Sequence, residues 1–118
     1  MGGGLNNTSS GQQATVGGGS YNTASGDSAT VGGGSLNKST NFLSTVSGGS
    51  GNLSGGLRAT VSGGGDNSSA GSYATVPGGS LNYAVGNYSF AAGQRAKANH
   101  QGSFVWADSQ FADFASTA

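Results

Sequence analysis

Residues 14–35 read ATVGGGSYNTASGDSATVGGGS, so the phrase ATVGGGS begins at residue 14 and again at residue 29. The same step runs through most of the 118 residues. The triplet Ala/Ser-Thr-Val begins at residues 14, 29, 44, 59 and 74, and asparagine recurs at the same interval. A flexible linker has no reason to keep one register. A short fixed period is typical of stacked repeat units, so the sequence predicts a solenoid.

Glycine occupies two further columns of the repeat, which we interpret as the corners of each unit. The only departure from glycine in the second column is Asn41, and Asn is the residue that best tolerates a positive φ after glycine. We therefore expect left-handed turns at the second column. The first column is Gly18, Gly33, Gly48, Gly63, Gly78 and Gly93, and the second is Gly26, Asn41, Gly56, Gly71 and Gly86.

Between the corners the residues alternate with a period of two, as in Ala29-Thr30-Val31. Each unit thus predicts two short strands. Stacking coils of about 15 residues at a spacing of about 4.8 Å gives an all-β parallel β-roll or β-solenoid. The narrow interior is expected to hold an asparagine column that stacks as a side-chain amide ladder. The predicted interior residues are Val16, Val31, Val46, Val61, Val76, Asn22, Asn37, Asn52, Asn67 and Asn82.

A threonine column points outward by the same alternation. Its members are Thr15, Thr30, Thr45, Thr60 and Thr75. The outward column that contains Lys38, Leu53 and Tyr83 varies freely, whereas the threonine column does not. A constant column indicates that something repetitive packs against it, either identical chains or a periodic ligand. A thin interior buries little apolar area, which favours an inter-chain face formed by these threonines.

Composition excludes several classes of function. The chain has no cysteine, four basic and four acidic residues and no net charge. It therefore carries no disulfide framework and no basic field for nucleic acid. No apolar run is long enough for a membrane helix, so we expect no direct membrane insertion by this segment.

No residue constellation predicts catalysis, a metal site or a cofactor. His100 is the single histidine, and nothing in the sequence places a carboxylate beside it. Asp27 aligns in the repeat with Phe42 and Leu57, so no acidic column exists for calcium. The glycine runs recur in every coil, which fits corners better than a phosphate loop. We expect that the protein is not an enzyme.

A small cluster of large polar and aromatic residues lies near the carboxyl end. Arg95, Lys97, His100 and Trp106 predict either a surface contact for a glycan or anionic surface, or a cap that closes the last coil. The cap is the favoured interpretation. Residues 108–118 abandon the repeat, so we expect a β-roll over 1–107 followed by a transition segment or the start of a further domain.

The repeat resembles the head repeats of trimeric autotransporter adhesins, the YadA-like heads. The residues that carry the resemblance are Ser28–Gly32, the corner Asn22–Gly26 and the segments Tyr88–Gly93 and Ser103–Asp108. Ser89 and Ser103 are one position closer together than the step of the repeat, which predicts a slightly shorter last coil. Similar repeats also occur in tail-fibre-like proteins.

The resemblance implies a left-handed β-roll in which three chains form a homotrimer, at the cell surface or outside the cell. It implies an adhesive head or shaft whose partners are a host surface, extracellular matrix or glycan. We expect the chain to be a fragment of such a fibre. Two alternatives stay open. One is a monomeric solenoid whose threonines bind an ordered surface such as ice, and the other is a flexible Gly/Ser-rich spacer.

Overall fold

The computed structural model describes residues 2–109 and 112–117 and is all-β. The chain is a β-solenoid of about seven turns with about 15 residues per turn, and each turn is called a coil below. Most strands have two residues, because each coil turns a corner soon after each strand. The strands are β1 Thr8–Ser9, β2 Thr15–Val16, β3 Thr23–Ala24, β4 Thr30–Val31, β5 Lys38–Ser39, β6 Thr45–Val46, β7 Leu53–Ser54, β8 Thr60–Val61, β9 Ser68–Ser69, β10 Thr75–Val76, β11 Tyr83–Ala84, β12 Phe90–Gly93, β13 Ala96–Ala98, β14 Phe104–Ala107 and β15 Phe114–Ala115.

The strands form two parallel sheets. The odd sheet contains β1, β3 and the following odd-numbered strands, and the even sheet contains β2, β4 and the following even-numbered strands. Thr15 pairs with Thr30 and Val16 with Val31, so the repeat step of the sequence is the register of the sheet. This confirms the predicted parallel solenoid.

The register shortens near the carboxyl end. Tyr83 pairs with Lys97 and Phe90 with Phe104, which is one position less than the step of the earlier coils, as the sequence predicted for the last coil. The predicted boundary after residue 107 coincides with the end of β14. Beyond it the step is lost, but Phe114 still pairs with Ala96, so the described part of this segment remains on the odd sheet.

Left-handed residues lie at the corners, but not in the second glycine column. That column has no positive φ among Gly26, Asn41, Gly56, Gly71 and Gly86, so the left-handed prediction is wrong there. Glycine is favoured because a Cβ would approach the next coil, as one at Gly26 would overlap the carbonyl oxygen of Asn41. The left-handed residues other than glycine instead form two columns, Asn6, Tyr21, Leu36, Asp66, Leu81 and Arg95 at corner A, and Gln13, Ser28, Leu43, Arg58, Tyr73 and Tyr88 at corner B.

The left-handed conformation reverses the direction in which a residue donates its N–H group. The N–H of Thr15 donates forward to the carbonyl of Ala29 at 2.9 Å, whereas the N–H of left-handed Tyr73 donates backward to Leu57 at 2.8 Å. Ser28, in the same column as Tyr73, donates backward to Gln12 at 2.7 Å. Such a hydrogen bond offsets the steric cost of about 1–2 kcal/mol that a non-glycine residue incurs here.

Gly64→Ala should destabilise the solenoid by at least about 2 kcal/mol, because φ at Gly64 is +83° and a Cβ would overlap the carbonyl oxygen of Gly79. Gly63→Ala is the matched control, since a Cβ on Gly63 meets nothing within 4 Å. The free energy of unfolding in urea measures both. Equal losses for the two variants would show that the close approach between coils is wrong.

The interior is thin and filled by small side chains. The described chain measures 41 × 24 × 13 Å, which leaves room for one layer of side chains between the sheets. The structure places all five predicted valines at 0% exposure and the five predicted asparagines at 0–1%. Alanine, serine and glycine fill the remaining buried positions, for example Ala24, Ser39 and Gly56.

The asparagine column connects consecutive coils through their backbone. The backbone N–H of Asn52 donates to Asn37 Oδ1 at 3.0 Å, and Asn52 Oδ1 accepts the N–H of Asn67 at 3.0 Å. Asn52 Nδ2 donates to the carbonyls of Gly48 at 3.0 Å and Gly64 at 2.9 Å. The predicted amide-to-amide stack is therefore corrected: each side chain bonds backbone groups, because the corner carbonyls lie nearer than the next amide.

The same pattern repeats from coil to coil and ends at a defined position. It begins at Asn7, whose Oδ1 accepts the N–H of Asn22, and it ends where Asn82 Oδ1 accepts the N–H of Ala96 at 2.9 Å. Each interior asparagine thus joins its own corner glycine, the glycine of the next coil and the next residue of the column. We call this column, from Asn7 to Asn82, the asparagine ladder.

Asn52→Ala should destabilise the solenoid by about 2–6 kcal/mol, because it leaves the N–H of Asn67 and the carbonyl of Gly48 without partners at about 1–3 kcal/mol each. The Gly64 carbonyl still accepts the N–H of Ser50. Unfolding in urea is the measurement. Asn99→Ala is the control, since Asn99 is exposed and lies outside the ladder. A loss under about 1 kcal/mol for Asn52→Ala, of the size seen with ordinary surface changes, would contradict the ladder.

Buried serines give a second matched pair. Ser54 Oγ donates to the carbonyl of Ala59 at 2.8 Å, whereas Ser69 Oγ, one coil later, is buried with no partner among the described residues. Ser69→Ala should stabilise the protein by about 1 kcal/mol, since an unpaired buried hydroxyl costs about 1–3 kcal/mol, and Ser54→Ala should destabilise it. Thermal unfolding compares the two. The opposite order would mean that Ser69 has a partner.

Candidate interaction surface

One face of the solenoid is regular over its whole length. It is the outward side of the even sheet, where Thr15, Thr30, Thr45, Thr60 and Thr75 pair in register and Phe90 and Phe104 continue the column. A second outward column lies two residues further along each coil, and it holds Gly17, Gly32, Ser47, Ser62, Pro77, Ala92 and Trp106. We call these two columns the threonine face.

The threonine face offers hydroxyl groups without partners. Thr15 is exposed and the other four threonines are half-buried. Among the described residues, none of these five hydroxyls has a hydrogen-bond partner. The neighbouring column of small residues adds no protruding side chain before Pro77. The result is a flat strip on which another regular surface can lie close to the backbone.

The carboxyl end of the threonine face is aromatic. Phe90 and Phe104 stack with ring centroids 4.7 Å apart and planes 4° apart. Phe104 and Trp106 are each 69% exposed, the highest values among the exposed large apolar residues. Trp106 borders an almost wholly apolar depression, whose remaining lining is Pro77, Gly78, Gly79, Ala92 and Gly93. Exposed apolar surface of this kind is typical of interaction sites.

The predicted basic cluster does not form. Arg95 lies at corner A, Lys97 on the outward side of the odd sheet, His100 at corner B and Trp106 on the threonine face. The two sheets face opposite directions, so these four side chains cannot contact one ligand together. The coil explains the difference, because its short strands and corners distribute neighbours in sequence around all its sides.

Lys97 instead joins the last coil to the segment that follows. Its Nζ donates to the carbonyl of Leu81 at 3.2 Å and lies 3.6 Å from the ring centroid of Tyr83. It also lies 4.0 Å from Asp113 Oδ1. Burial lowers the pKa of Lys97, Asp113 opposes that change and Arg95 adds to it. These contacts hold the segment that contains Asp113 against the last coil. They leave the Lys97 ammonium little freedom to bind a ligand.

His100 has a similar structural contact. Its Nδ1 lies 2.8 Å from Ser116 Oγ, which also accepts the backbone N–H groups of Asn99 at 2.8 Å and His100 at 3.2 Å. The imidazole therefore holds residue 116 against corner B. Within the part of the chain that the structure describes, no carboxylate is among the contacts of this pair.

A ladder of larger side chains follows corner B. Arg58 Nη1 donates to Tyr73 Oη at 3.1 Å, and the rings of Tyr73 and Tyr88 stack with centroids 5.2 Å apart and planes 7° apart. These three residues keep the step of the repeat, but the sequence-based predictions above did not single them out. Their common step was the signal that could have found them.

Two features are absent from residues 2–109 and 112–117. No three His, Cys, Asp or Glu side chains lie where they could hold a metal ion. No helix there is long and apolar enough to cross a membrane. The comparison with protein-family models and with curated proteins finds no match for this chain.

Proposed function

We propose that this protein is a structural segment of a fibre, in which identical chains pack through their threonine faces. The solenoid fold is consistent with a structural repeat protein. The observation that carries the proposal is the threonine face itself. It has a constant column of hydroxyls that are unpartnered among the described residues, and its carboxyl end carries Phe104 and Trp106, each 69% exposed. Burying such apolar surface stabilises an assembly by about 25 cal/mol per Å².

The arrangement proposed is a homotrimer with the left-handed coil of the YadA-like heads, as a head or shaft of a cell-surface or tail-fibre-like protein. This follows from the resemblance of the repeats to those heads. An extracellular or cell-surface location belongs to the same proposal, and so does adhesion to a host surface, extracellular matrix or glycan. Three chains would bring three copies of any weak binding site together and so raise avidity.

A monomer that binds an ordered surface such as ice is the second candidate. One threonine per coil, about 4.8 Å from the next, forms a regular row of hydroxyls. The neighbouring column of glycine, serine and proline supplies no second row of threonines, which favours chain packing over this candidate. A flexible spacer, the third alternative, does not agree with two hydrogen-bonded sheets that run the length of the described chain.

Thr45→Lys should dissociate the assembly, because it places a charge at the centre of each buried threonine face. Sedimentation equilibrium should give three times the chain mass for the wild-type protein and the mass of one chain for Thr45→Lys. Thr40→Lys is the control, since Thr40 is exposed on the other side of the coil and should leave the trimer intact.

A wild-type monomer over the micromolar range would contradict the proposal, and thermal hysteresis would then be measured to test the second candidate. A trimer that Thr45→Lys leaves intact would mean that the chains pack through another face.

A further inference from the structure

The ladder at corner B ends in an open stacking position. Arg58, Tyr73 and Tyr88 occupy successive coils, with the Arg58 guanidinium 5.8 Å from the Tyr73 ring centroid and the two tyrosine rings 5.2 Å apart. The next residue of this column is Gly102, because its N–H donates to the carbonyl of Asn87 at 2.8 Å, just as that of Tyr88 donates to Ser72. Gly102 has the same left-handed conformation, with φ +70°, but no side chain.

The space beyond the Tyr88 ring is open at the point where a side chain on residue 102 would begin. A Cβ built on Gly102 meets nothing within 4 Å. Tyr88 is 60% exposed, whereas Tyr73, which has a neighbour on both sides, is 41% exposed. Among the described residues, one face of the Tyr88 ring therefore lacks the neighbour that Tyr73 has on each side.

We infer that the position between Tyr88 and Gly102 binds a ring with one apolar face, and that the ligand class is a pyranose sugar. The ring must lie flat on Tyr88, because the ladder fixes the plane of the tyrosine. The C–H groups on one face of a pyranose are weakly positive and match the negative face of an aromatic ring.

The groups around this position favour a neutral polyhydroxylated ligand. Asn87 precedes Tyr88 and Gln101 precedes Gly102, and both are exposed. Asn87 Oδ1 accepts the N–H of Ser72 at 2.9 Å, which leaves its Nδ2 to donate to a hydroxyl group, whereas the Gln101 amide can both donate and accept. Arg58, the cation of the ladder, lies two coils away and is bonded to Tyr73. Among the described residues Tyr88 has no ionic or cation–π contact, whereas a nucleotide or another anionic ring needs a cation to bind its charge.

This position is independent of how the chains assemble. It lies at a corner between the two sheets and not on the threonine face, so a monomer would present it as well. A trimer would present three copies and convert weak binding to one ring into avidity for a polymeric glycan.

The test is saturation-transfer NMR with three neutral probes, methyl β-glucopyranoside, methyl β-galactopyranoside and N-acetylglucosamine. We expect at least one of these sugars to bind with a Kd between about 1 and 100 mM, the range expected for a single ring. Tyr88→Ala should weaken it at least about tenfold, because the platform is lost. Gly102→Tyr should weaken it equally, because the new ring fills the position. Tyrosine is already tolerated at this column with φ near +60°.

Tyr21→Ala is the matched control. Tyr21 is also left-handed and 50% exposed, but it lies at corner A. It should leave sugar binding unchanged. Far-ultraviolet circular dichroism checks that each variant keeps its β structure. If Gly102→Tyr does not fold, the comparison of the wild type with Tyr88→Ala decides the question.

Three outcomes would overturn the inference. If none of the three sugars binds, the proposed sugar site is contradicted. Equal binding by the wild type, Tyr88→Ala and Gly102→Tyr would place the sugar elsewhere. Binding of p-cresol without any sugar would show that the position takes an aromatic side chain and that the ligand class is wrong.

Discussion

The asparagine ladder is the interaction on which the rest of this solenoid depends. Each coil encloses little more than one valine, one or two small residues and one asparagine. Apolar burial alone is therefore small for each coil. The asparagine side chain compensates, because the single amide of Asn52 bonds two corner carbonyls and one N–H group. Of these, the Gly48 carbonyl and the Asn67 N–H have no other partner among the described residues. Such groups are costly when they are left unpaired.

The ladder also explains why the two glycine-rich corners differ. At corner A the asparagine Nδ2 reaches the backbone of consecutive coils, so glycine keeps the backbones close enough for both bonds. At corner B such bonds between coils are isolated, as that from Asn41 Nδ2 to the carbonyl of Gly55 at 3.0 Å. Large left-handed residues, such as Tyr21 at corner A and Tyr73 at corner B, are tolerated because their N–H groups bond the preceding coil. The interior thus fixes the glycines of corner A, while both corners carry exposed left-handed side chains, such as Tyr21 at corner A and Tyr73 at corner B.

The period of the sequence predicted the fold because the period is the register of the sheets. Val31 and Asn37 could be placed in the interior from alternation and recurrence alone. The left-handed positions could not, because Tyr73, Leu43 and Arg58 disfavour a positive φ and only the inter-coil hydrogen bond selects it. Likewise Lys97 and Trp106 are close in sequence, but a coil places them on opposite sheets. The step of the repeat places Tyr73 and Tyr88 in one column, but the parallel stacking of their rings depends on side-chain conformations that the period does not give.

Hydrogen exchange of asparagine side chains tests the central claim most directly. In the solenoid each of Asn37, Asn52 and Asn67 donates hydrogen bonds from its Nδ2 group to two glycine carbonyls. The account predicts that these side-chain amides exchange with solvent as slowly as the most protected backbone amides, whereas that of the exposed Asn99 exchanges rapidly. Rapid exchange of all asparagine side chains in a folded protein would contradict the ladder.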